Sequence, residues 1–179
     1  GQRDVVQTAF LTKPDHTAIL SLPTGMGKTL AFESLAKVWA STGRTMIVVV
    51  PTVSLAKDME RRFKKGFCAH DVAYVGSLGV EEKKRIRQRI RKGTQKMVIT
   101  SPEGLFVPSM MHAVLYAAEK DRLTAFVIDE AHMVSQWGAF FRPKFQTLSA
   151  LHRKLIEVAT GRGFPTLLFI ATLSQESFF

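Results

Sequence analysis

The sequence predicts an α/β fold built on a mainly parallel, doubly wound sheet. Short apolar runs alternate with segments of helical spacing along the whole chain, which is the order expected for parallel strands joined by helices. The run Thr45–Val50 is apolar without alternation, as in a strand that is covered on both faces. A glycine-rich turn, Leu22–Thr29, joins an apolar run to a helical segment, and such sheets bind ligands at the carboxyl ends of their strands.

The first hundred residues predict four helices that alternate with four strands. The helices cover 2–11, 28 to about 40, 54 to about 65 and 80–92, and the strands cover 18–22, 45–50, 71–75 and 96–100. Pro14 breaks the first helix, Gly43 lies just beyond the second, and Ser54 has the side chain of an N-cap for the third. In the fourth helix, Ile86 and Ile90 form the inward-facing pair.

The rest of the chain continues the alternation. Residues 101–104 close the fourth strand, and residues 109–120 predict a helix. Strand 124–128 then delivers Asp129 at its carboxyl end, before a loop rich in aromatic residues. Pro143 starts a long helix, and residues 166–171 form the last strand. The long helix has apolar residues at helical spacing, namely Leu148, Leu151, Leu155 and Val158.

Composition limits the classes of protein to which this chain can belong. The formal net charge is +10, from 25 Lys and Arg against 15 Asp and Glu; this suits a polyanionic partner, although solubility alone also explains it. The single cysteine, Cys68, excludes an internal disulfide framework and fits a reducing compartment, so we expect a cytoplasmic protein, or a nuclear one in a eukaryote. No apolar run approaches the roughly 20 residues of a membrane span.

The stretch Leu22–Thr29 has the composition of a phosphate-binding loop. Glycines let successive backbone N–H groups surround a phosphate chain, and the following helix adds the positive end of its dipole. Lys28 is then placed to reach the β- and γ-phosphates, and the Thr29 hydroxyl to ligate Mg²⁺. The general pattern has a glycine at the position of Leu22, so a plain glycine-rich turn is the alternative. The candidate cofactor-binding residues in this loop are Thr24, Gly25, Met26, Gly27, Lys28 and Thr29.

Two adjacent carboxylates, Asp129 and Glu130, directly follow the predicted strand 124–128. An acidic residue in that position can hold the Mg²⁺ that Thr29 also contacts. Its neighbour can orient or deprotonate the water that attacks the γ-phosphate. Alone, such a pair is usually just a polar strand end, but together with Lys28 it indicates nucleotide hydrolysis. We therefore predict Lys28, Asp129 and Glu130 as catalytic residues that meet at one magnesium nucleotide.

These motifs resemble those of the superfamily 2 helicases, and most closely the RecQ-like group of ATP-dependent DNA helicases. Leu22–Thr29 is similar to motif I, whose form tolerates a residue other than glycine at its first position. Residues 129–132 (Asp-Glu-Ala-His) are similar to motif II, residues 51–58 resemble motif Ia, and residues 100–103 resemble motif Ib. The resemblance spans almost the whole chain and implies a three-layer RecA-like P-loop NTPase domain with ATP and Mg²⁺ as ligands.

The most specific similarity lies in residues 135–143, Ser-Gln-Trp-Gly-Ala-Phe-Phe-Arg-Pro. This segment resembles the aromatic-rich loop of RecQ-like helicases, which contacts single-stranded DNA and links binding to ATP hydrolysis. The resemblance implies DNA contacts by Trp137, Phe141 and Arg142; stacking of a base on an aromatic ring contributes roughly 1–3 kcal/mol. The alternative is that the aromatic residues belong to the core. Further candidates for contacts to the DNA backbone are Ser54, Lys57, Thr100 and Ser101.

Four more residues stand at positions that the resemblance connects with adenine binding or coupling. Gln2 resembles the glutamine of motif 0, which reads the adenine edge, although an exposed glutamine at a helix start explains it equally well. His132 corresponds to the residue that connects motif II to a second domain, or is an ordinary loop histidine; Gln136 is assigned to the same coupling group. In the segment similar to motif III, Ile170 replaces the first hydroxyl residue, so Thr172 is left as the relay between the nucleotide and DNA sites.

The predicted helix 80–92 is strongly basic, with seven Lys and Arg residues against two Glu. A charge distribution all around a helix is more typical of a solvated surface than of a DNA-binding groove. The sequence therefore leaves both interpretations open and favours the first.

The resemblance implies that residues 1–179 are the N-terminal RecA-like ATP-binding domain, with motifs 0 to III, of a longer RecQ-like helicase or translocase. Such a domain couples ATP hydrolysis to movement on single-stranded or partly duplex DNA, together with a second RecA-like domain of the same parent chain and without a membrane. Because that second domain supplies arginines, weak hydrolysis is expected from the first domain alone. The alternatives are a DEAH-type RNA helicase, an ATPase that translocates on duplex DNA in repair or defence, and a nucleic-acid-binding module whose ATP site is inert.

Overall fold

The computed structural model describes residues 2–22, 27–39, 42–64, 72–131 and 142–171, with only the backbone described at residues 2, 29 and 142–146. The strands are β1 (Thr17–Ser21), β2 (Thr45–Val49), β3 (Ala73–Tyr74), β4 (Met97–Thr100), β5 (Leu123–Ile128) and β6 (Thr166–Ile170). The helices are α1 (Gln2–Leu11), α2 (Lys28–Trp39), α3 (Val53–Lys64), α4 (Val80–Lys92), α5 (Pro102–Leu105), α6 (Pro108–Glu119) and α7 (Arg142–Val158). None of these helices is long and apolar enough to cross a membrane.

The six strands form one sheet in the order β1-β6-β5-β2-β4-β3, and every pairing in it is parallel. The predicted parallel, doubly wound sheet is therefore confirmed. Strand β2 lies in the interior of the sheet and is buried at every position, as its continuous apolar run predicts. Among the strands of the described residues, β6 comes last in the chain but lies between β1 and β5.

Helices cover both faces of the sheet and give the fold three layers. Successive side chains of a strand point to opposite faces; in β2, Met46 and Val48 enter one hydrophobic core, and Ile47 and Val49 enter the other. The first core is completed by α1, α2 and α3, and the second by α4, α5, α6 and α7. The predicted apolar face of the long helix α7 is confirmed, because Leu155 and its neighbours one turn apart lie in the second core.

A pair of aromatic rings joins α2 to the sheet. Phe32 of α2 and Phe169 of β6 are both fully buried. Their ring centroids are 4.6 Å apart at an interplanar angle of 77°, an edge-to-face contact, which is a favoured geometry for two rings. This contact ties the helix that begins at Lys28 to the strand that lies between β1 and β5.

Helix α4 has the predicted bounds and the predicted inward pair, since Ile86 and Ile90 are fully buried. It ends at Gly93, whose φ of 71° lies in the left-handed region and whose N–H donates to the carbonyl of Ile90. A Cβ at this position would collide with the carbonyl oxygen of Gly43. Gly93 thus adopts a left-handed conformation and lies close to the backbone of Gly43. A residue with a Cβ would be strained in that conformation and would collide with that backbone.

The structure corrects one prediction about a helix start and adds a short helix after β4. Helix α3 begins at Val53, and its N-cap is Thr52, whose hydroxyl accepts the N–H of Leu55 at 3.2 Å. The prediction that Ser54 caps this helix is wrong, because Ser54 lies inside the first turn. Residues 101–104 do not simply close a strand: Ser101 accepts the N–H of Gly104 at 3.4 Å and caps the one-turn helix α5.

Strand β3 is shorter than predicted, and a side chain occupies its outer edge. The carboxylate of Glu60 in α3 accepts the N–H groups of Val72 and Ala73, each at 3.0 Å. On its other side β3 pairs with β4 through only two residues, Ala73 and Tyr74. The Glu60 carboxylate thus bonds N–H groups that an edge strand would otherwise leave available for pairing with a strand of another chain.

Candidate active site

The chain leaves the sheet at the end of β1 and re-enters a helix at Lys28. The N–H of Leu22 donates to the carbonyl of Ile170 at 3.1 Å, which extends the contact between β1 and β6. Gly27 has a φ of 83°, in the left-handed region that favours glycine, and its carbonyl accepts the N–H of Ala31 at 3.1 Å to form the first turn of α2. The amino end of α2, where backbone N–H groups lack helical partners, therefore lies at the carboxyl edge of the sheet.

The acidic pair is held at the same edge by hydrogen bonds to two neighbouring strands. The N–H of Asp129 donates to the carbonyl of Val49 at 2.8 Å, and the N–H of Ala131 donates to the carbonyl of Phe169 at 2.8 Å. Between them, Glu130 has a φ of 51°, and its N–H donates to Asp129 Oδ1 at 2.9 Å. A left-handed glutamate is uncommon, and here the neighbouring hydrogen bonds hold it in that conformation.

Lys28 meets both carboxylates, although the lysine and Glu130 are 102 positions apart in the chain. The Lys28 ammonium forms an ion pair with the Glu130 carboxylate and lies 3.7 Å from Asp129 Oδ1. The side chains of Lys28, Asp129 and Glu130 are 11%, 6% and 21% exposed. Strand β6 lies between β1 and β5, so β1 and β5 are two strand spacings, or about 10 Å, apart. Lys28 therefore reaches across the end of β6 to make these contacts.

Ionisation of Asp129 is disfavoured at this site. Burial raises the pKa of Asp129 above its ordinary value of 3.8, while the positive charge of Lys28 opposes the rise and the negative charge of Glu130 adds to it. A cation bound against this buried carboxylate would stabilise its charged form.

The donor set also fits Mg²⁺, but only together with a phosphate-bearing ligand. The described residues contain no group of three His, Cys, Asp or Glu side chains able to hold a metal ion. Magnesium is usually bound by one or two carboxylates plus substrate phosphates and water. Asp129 supplies such a carboxylate, and Lys28 supplies a cation for the phosphates.

The predicted contacts to the DNA backbone divide into two groups. Ser54 is exposed and Lys57 is half-buried, both near the start of α3. Thr100 and Ser101 are buried; the Thr100 hydroxyl donates to the carbonyl of Tyr74 at 2.7 Å, and Ser101 caps α5. The hydroxyls of Thr100 and Ser101 therefore hold the end of β4 in this structure. The phosphate contacts of all four residues stay predictions.

Several predicted residues lie outside the part of the chain that the structure describes. They are Thr24, Gly25 and Met26 of the loop, and His132, Gln136, Trp137, Phe141 and Thr172. Gln2, Thr29 and Arg142 are described by their backbone alone. Gln2 begins α1, Thr29 lies in the first turn of α2, and Arg142 begins α7.

A half-buried histidine, for which the sequence predicted no role, lies on the face of the sheet that α7 covers. This is the face opposite to the one that α2 covers. His152 of α7 makes a hydrogen bond with the Thr166 hydroxyl and packs on the ring of Phe126, with centroids 5.7 Å apart. Burial lowers the pKa of His152. The side chain lines a cavity of about 290 Å³ that also includes Ile128 and Ala131. Only the spacing of His152 from Leu148 hinted at this inward position.

Comparisons with known proteins agree with this geometry. The chain matches the model of the DEAD/DEAH box helicase family over residues 1–178. It is 31% identical over 151 residues to the RecQ-like DNA helicase blm-1 of Caenorhabditis elegans, covering 83% of this chain and 15% of that protein. It is 30% identical over 178 residues to the probable ATP-dependent DNA helicase RecS of Bacillus subtilis strain 168, covering 99% of this chain and 32% of that protein.

The chain thus spans about a third or less of the length of these curated relatives. The crystal structure of the DUF1998 helicase MrfA superposes with a TM-score of 0.72 at 19% sequence identity, covering 97% of this chain and 26% of that chain. This likeness confirms the predicted RecA-like fold. Because the family model matches nearly every residue, the chain belongs to the DEAD/DEAH box helicase family.

Proposed function

We propose that this chain is the ATP-binding motor domain of a RecQ-like DNA helicase or translocase, which couples ATP hydrolysis to movement on single-stranded DNA. The observation that carries the proposal is the meeting of Lys28 with Asp129 and Glu130 at the carboxyl edge of the sheet. The names of the relatives blm-1 and RecS, both called DNA helicases, support the choice of DNA.

In this proposal the Lys28 ammonium and the N–H groups at the start of α2 bind the phosphates of ATP. Thr29 and Asp129 would hold Mg²⁺, which neutralises charge on the phosphate oxygens when bound. Glu130 orients the attacking water and accepts its proton. The present ion pair suits these roles, since Lys28 can exchange a carboxylate partner for a phosphate oxygen without leaving the site.

Nucleic acid binding is assigned to the same edge of the sheet. Ser54 and Lys57 lie near the start of α3, where N–H groups and a cation suit a phosphate backbone. The family resemblance adds Trp137, Phe141 and Arg142 as contacts to single-stranded DNA. It also adds Gln2 as the adenine reader and His132, Gln136 and Thr172 as coupling residues, with a second RecA-like domain of the parent protein completing the site.

Nucleotide binding and turnover test the proposal. Binding of a fluorescent ATP analogue is measured on the 179-residue chain, and ATP hydrolysis is measured on the parent protein with and without single-stranded DNA. We expect Lys28→Ala to lose binding. Glu130→Gln should keep binding and slow hydrolysis by about 10²–10⁴-fold, the usual contribution of a general base. Glu119→Gln, which alters an exposed glutamate on α6, is the matched control and should behave as wild type.

Two results would contradict the proposal. Equal hydrolysis by the wild type, Lys28→Ala and Glu130→Gln would mean that the site is inert and the domain only binds nucleic acid. Stimulation of hydrolysis by RNA and not by DNA would instead favour the DEAH-type RNA helicase.

A further inference from the structure

Helix α4 holds a large share of the positive charge of the chain. It contains seven Lys and Arg residues and two Glu residues, a net charge of +5, while the whole chain has a formal net charge of +10. Its buried side consists of Ile86 and Ile90, so its charged residues lie on the flanks and on the outer side.

Hydrogen bonds divide the seven basic residues into two groups. Three of them are tied to neighbouring segments: Lys83 donates to the carbonyl of Gly76 at 2.7 Å, Arg87 to the Tyr74 hydroxyl at 2.8 Å, and Arg89 to Gln95 Oε1 at 2.6 Å. The other four are exposed, and none of them forms an ion pair with a residue in the described ranges. These four residues, called the basic stripe below, are Lys84, Arg85, Arg91 and Lys92.

The basic stripe lies on one side of the helix. Lys84 and Arg91 are seven residues apart, as are Arg85 and Lys92, so each pair shares a face. At about 100° per residue, the four side chains fall within an arc of about 120° whose centre is opposite the buried isoleucines. Positive charge surrounds the exposed part of the helix, as the sequence indicates, since Lys83, Arg87 and Arg89 bond to neutral groups. The four cations of the stripe form one continuous band within it, on the side opposite the isoleucines.

Helix stability explains only part of this band. Glu81 and Glu82 in the first turn and the basic residues of the last turn complement the helix dipole, and Glu81 precedes Lys84 and Arg85 at spacings that favour a helix. Like charges four residues apart destabilise a helix, and α4 has several such pairs: Lys83 with Arg87, Arg85 with Arg89, and Arg87 with Arg91.

A fifth cation extends the band beyond the end of α4. Arg122 donates from its guanidinium to the main-chain carbonyl of Arg91. The adjacent acidic residue, Asp121, is already paired with Arg44 and Arg162. The positive surface therefore continues from α4 to the segment before β5.

We propose that the basic stripe binds the phosphate backbone of duplex DNA at a surface separate from the active site. From residue 84 to residue 92 the helix rises about 12 Å, and one strand of a duplex places about three to four phosphates along that length. Helix α4 contains no aromatic residue, so the stripe lacks the stacking platform typical of single-strand binding. The inference rests on the proposed function for its choice of DNA and adds a duplex-binding surface to it.

Salt-dependent binding tests the stripe. Affinity for a blunt duplex of about 20 base pairs is measured by fluorescence anisotropy between about 50 and 200 mM salt. The variant Lys84→Gln/Arg85→Gln/Arg91→Gln/Lys92→Gln should bind at least about tenfold more weakly at the lowest salt. The slope of log K against log salt should become shallower by about 3, since each lost phosphate contact removes about 0.9.

The matched control removes four exposed positive charges elsewhere, in Lys13→Gln/Arg62→Gln/Arg153→Gln/Lys154→Gln. This control should keep the wild-type slope of log K against log salt. An equal loss of duplex affinity in both quadruple variants would overturn the proposal, because net charge alone would then explain binding. Glutamine keeps helix propensity. In case the stripe variant fails to fold, the single changes Lys84→Gln and Lys92→Gln should each reduce the slope by about 1, and unchanged slopes would also overturn the proposal.

The same preparations separate this inference from the proposed function. We expect the stripe variant to bind the ATP analogue normally, and Lys28→Ala to keep the wild-type duplex slope. If the stripe variant binds duplex DNA as wild type does while Lys28→Ala loses the nucleotide, only the duplex surface is wrong. If the stripe variant loses duplex binding while Lys28→Ala still binds the nucleotide, the duplex surface stands and the ATP site is wrong.

Discussion

Replacing Lys28 by methionine removes a cation that contacts both Asp129 and Glu130. At the observed 3.7 Å from Asp129 Oδ1, the lost attraction is about 4.5 kcal/mol at an effective dielectric constant of about 20. Two effects reduce this cost: a lysine in the first turn opposes the helix dipole by about 0.5 kcal/mol, and Asp129 can take up a proton. We therefore expect a net loss of about 2–3 kcal/mol in the free energy of unfolding, at or just below the range of about 3–5 kcal/mol for a broken buried pair.

Urea unfolding followed by circular dichroism at neutral pH, without nucleotide or metal, measures this loss. The melting temperature should fall by roughly 5–10 °C for a chain of this size. Lys154→Met, which breaks an exposed pair with Glu157, should change the free energy by less than about 0.5 kcal/mol. Adding Glu130→Gln to Lys28→Met should recover part of the loss, because it removes the negative charge that repels the Asp129 carboxylate.

The loss should also depend on pH in one direction. Burial raises the pKa of Asp129, and the charge of Lys28 opposes that rise. Removing Lys28 should therefore raise the pKa of Asp129 further. The folded state then binds the proton more tightly than the unfolded state, so the instability is present above the raised pKa and disappears as the pH falls toward 3.8. A variant within about 0.5 kcal/mol of wild type, or a deficit that is independent of pH, would refute the reasoning.

Three further changes test the fold around this site. Phe32→Ala should lower the free energy of unfolding by about 3–5 kcal/mol, because it leaves a cavity under the edge-to-face contact with Phe169; urea unfolding measures it. Asp129→Asn should leave the chain at least as stable at neutral pH, because burial raises the pKa of the replaced carboxyl. Its advantage should vanish as the pH falls toward 3.8 in urea titrations across pH. Gly93→Ala should destabilise by more than about 1 kcal/mol in thermal melts, since the left-handed conformation and the Gly43 carbonyl both exclude a Cβ.

Each of these changes has its own control. Phe32→Leu should cost clearly less than Phe32→Ala, and equal costs would mean that the aromatic contact and cavity are not the cause. Gly76→Ala meets no atom within 4 Å, so it should be nearly neutral; if it is as harmful as Gly93→Ala, the collision at Gly93 is not responsible. A large loss in Asp129→Asn at neutral pH would show that the carboxylate is favoured in the fold.

Local signals explain which elements could be predicted from the sequence. The bounds of α1 and α4 are correct because Pro14 and Gly93 act on the backbone within one turn. The burial of β2 follows from its own composition. Lys28, Asp129 and Glu130 could be selected because the chemistry of a phosphate site requires these residue types after strands of this kind.

The features that the sequence did not predict depend on contacts between distant segments. Both Thr52 and Ser54 have the side chain of a cap, and only the path of α3 selects Thr52. The length of β3 depends on its pairing with β4, and its outer edge is bonded by Glu60 from α3. The left-handed conformation of Glu130 likewise depends on hydrogen bonds of its neighbours to β2 and β6, which no local pattern reveals.

The position of β6 has a consequence for biosynthesis. Within the described part of the chain, β1 pairs in the sheet with β6 alone, and β6 leaves the ribosome after every other strand. Until residues 166–170 have docked, nothing in the sheet holds the first strand and the lysine beyond it against the acidic pair. A nascent polypeptide halted before residue 166 can form the four-stranded β5-β2-β4-β3 part of the sheet, but it cannot assemble the site where Lys28 and Glu130 meet.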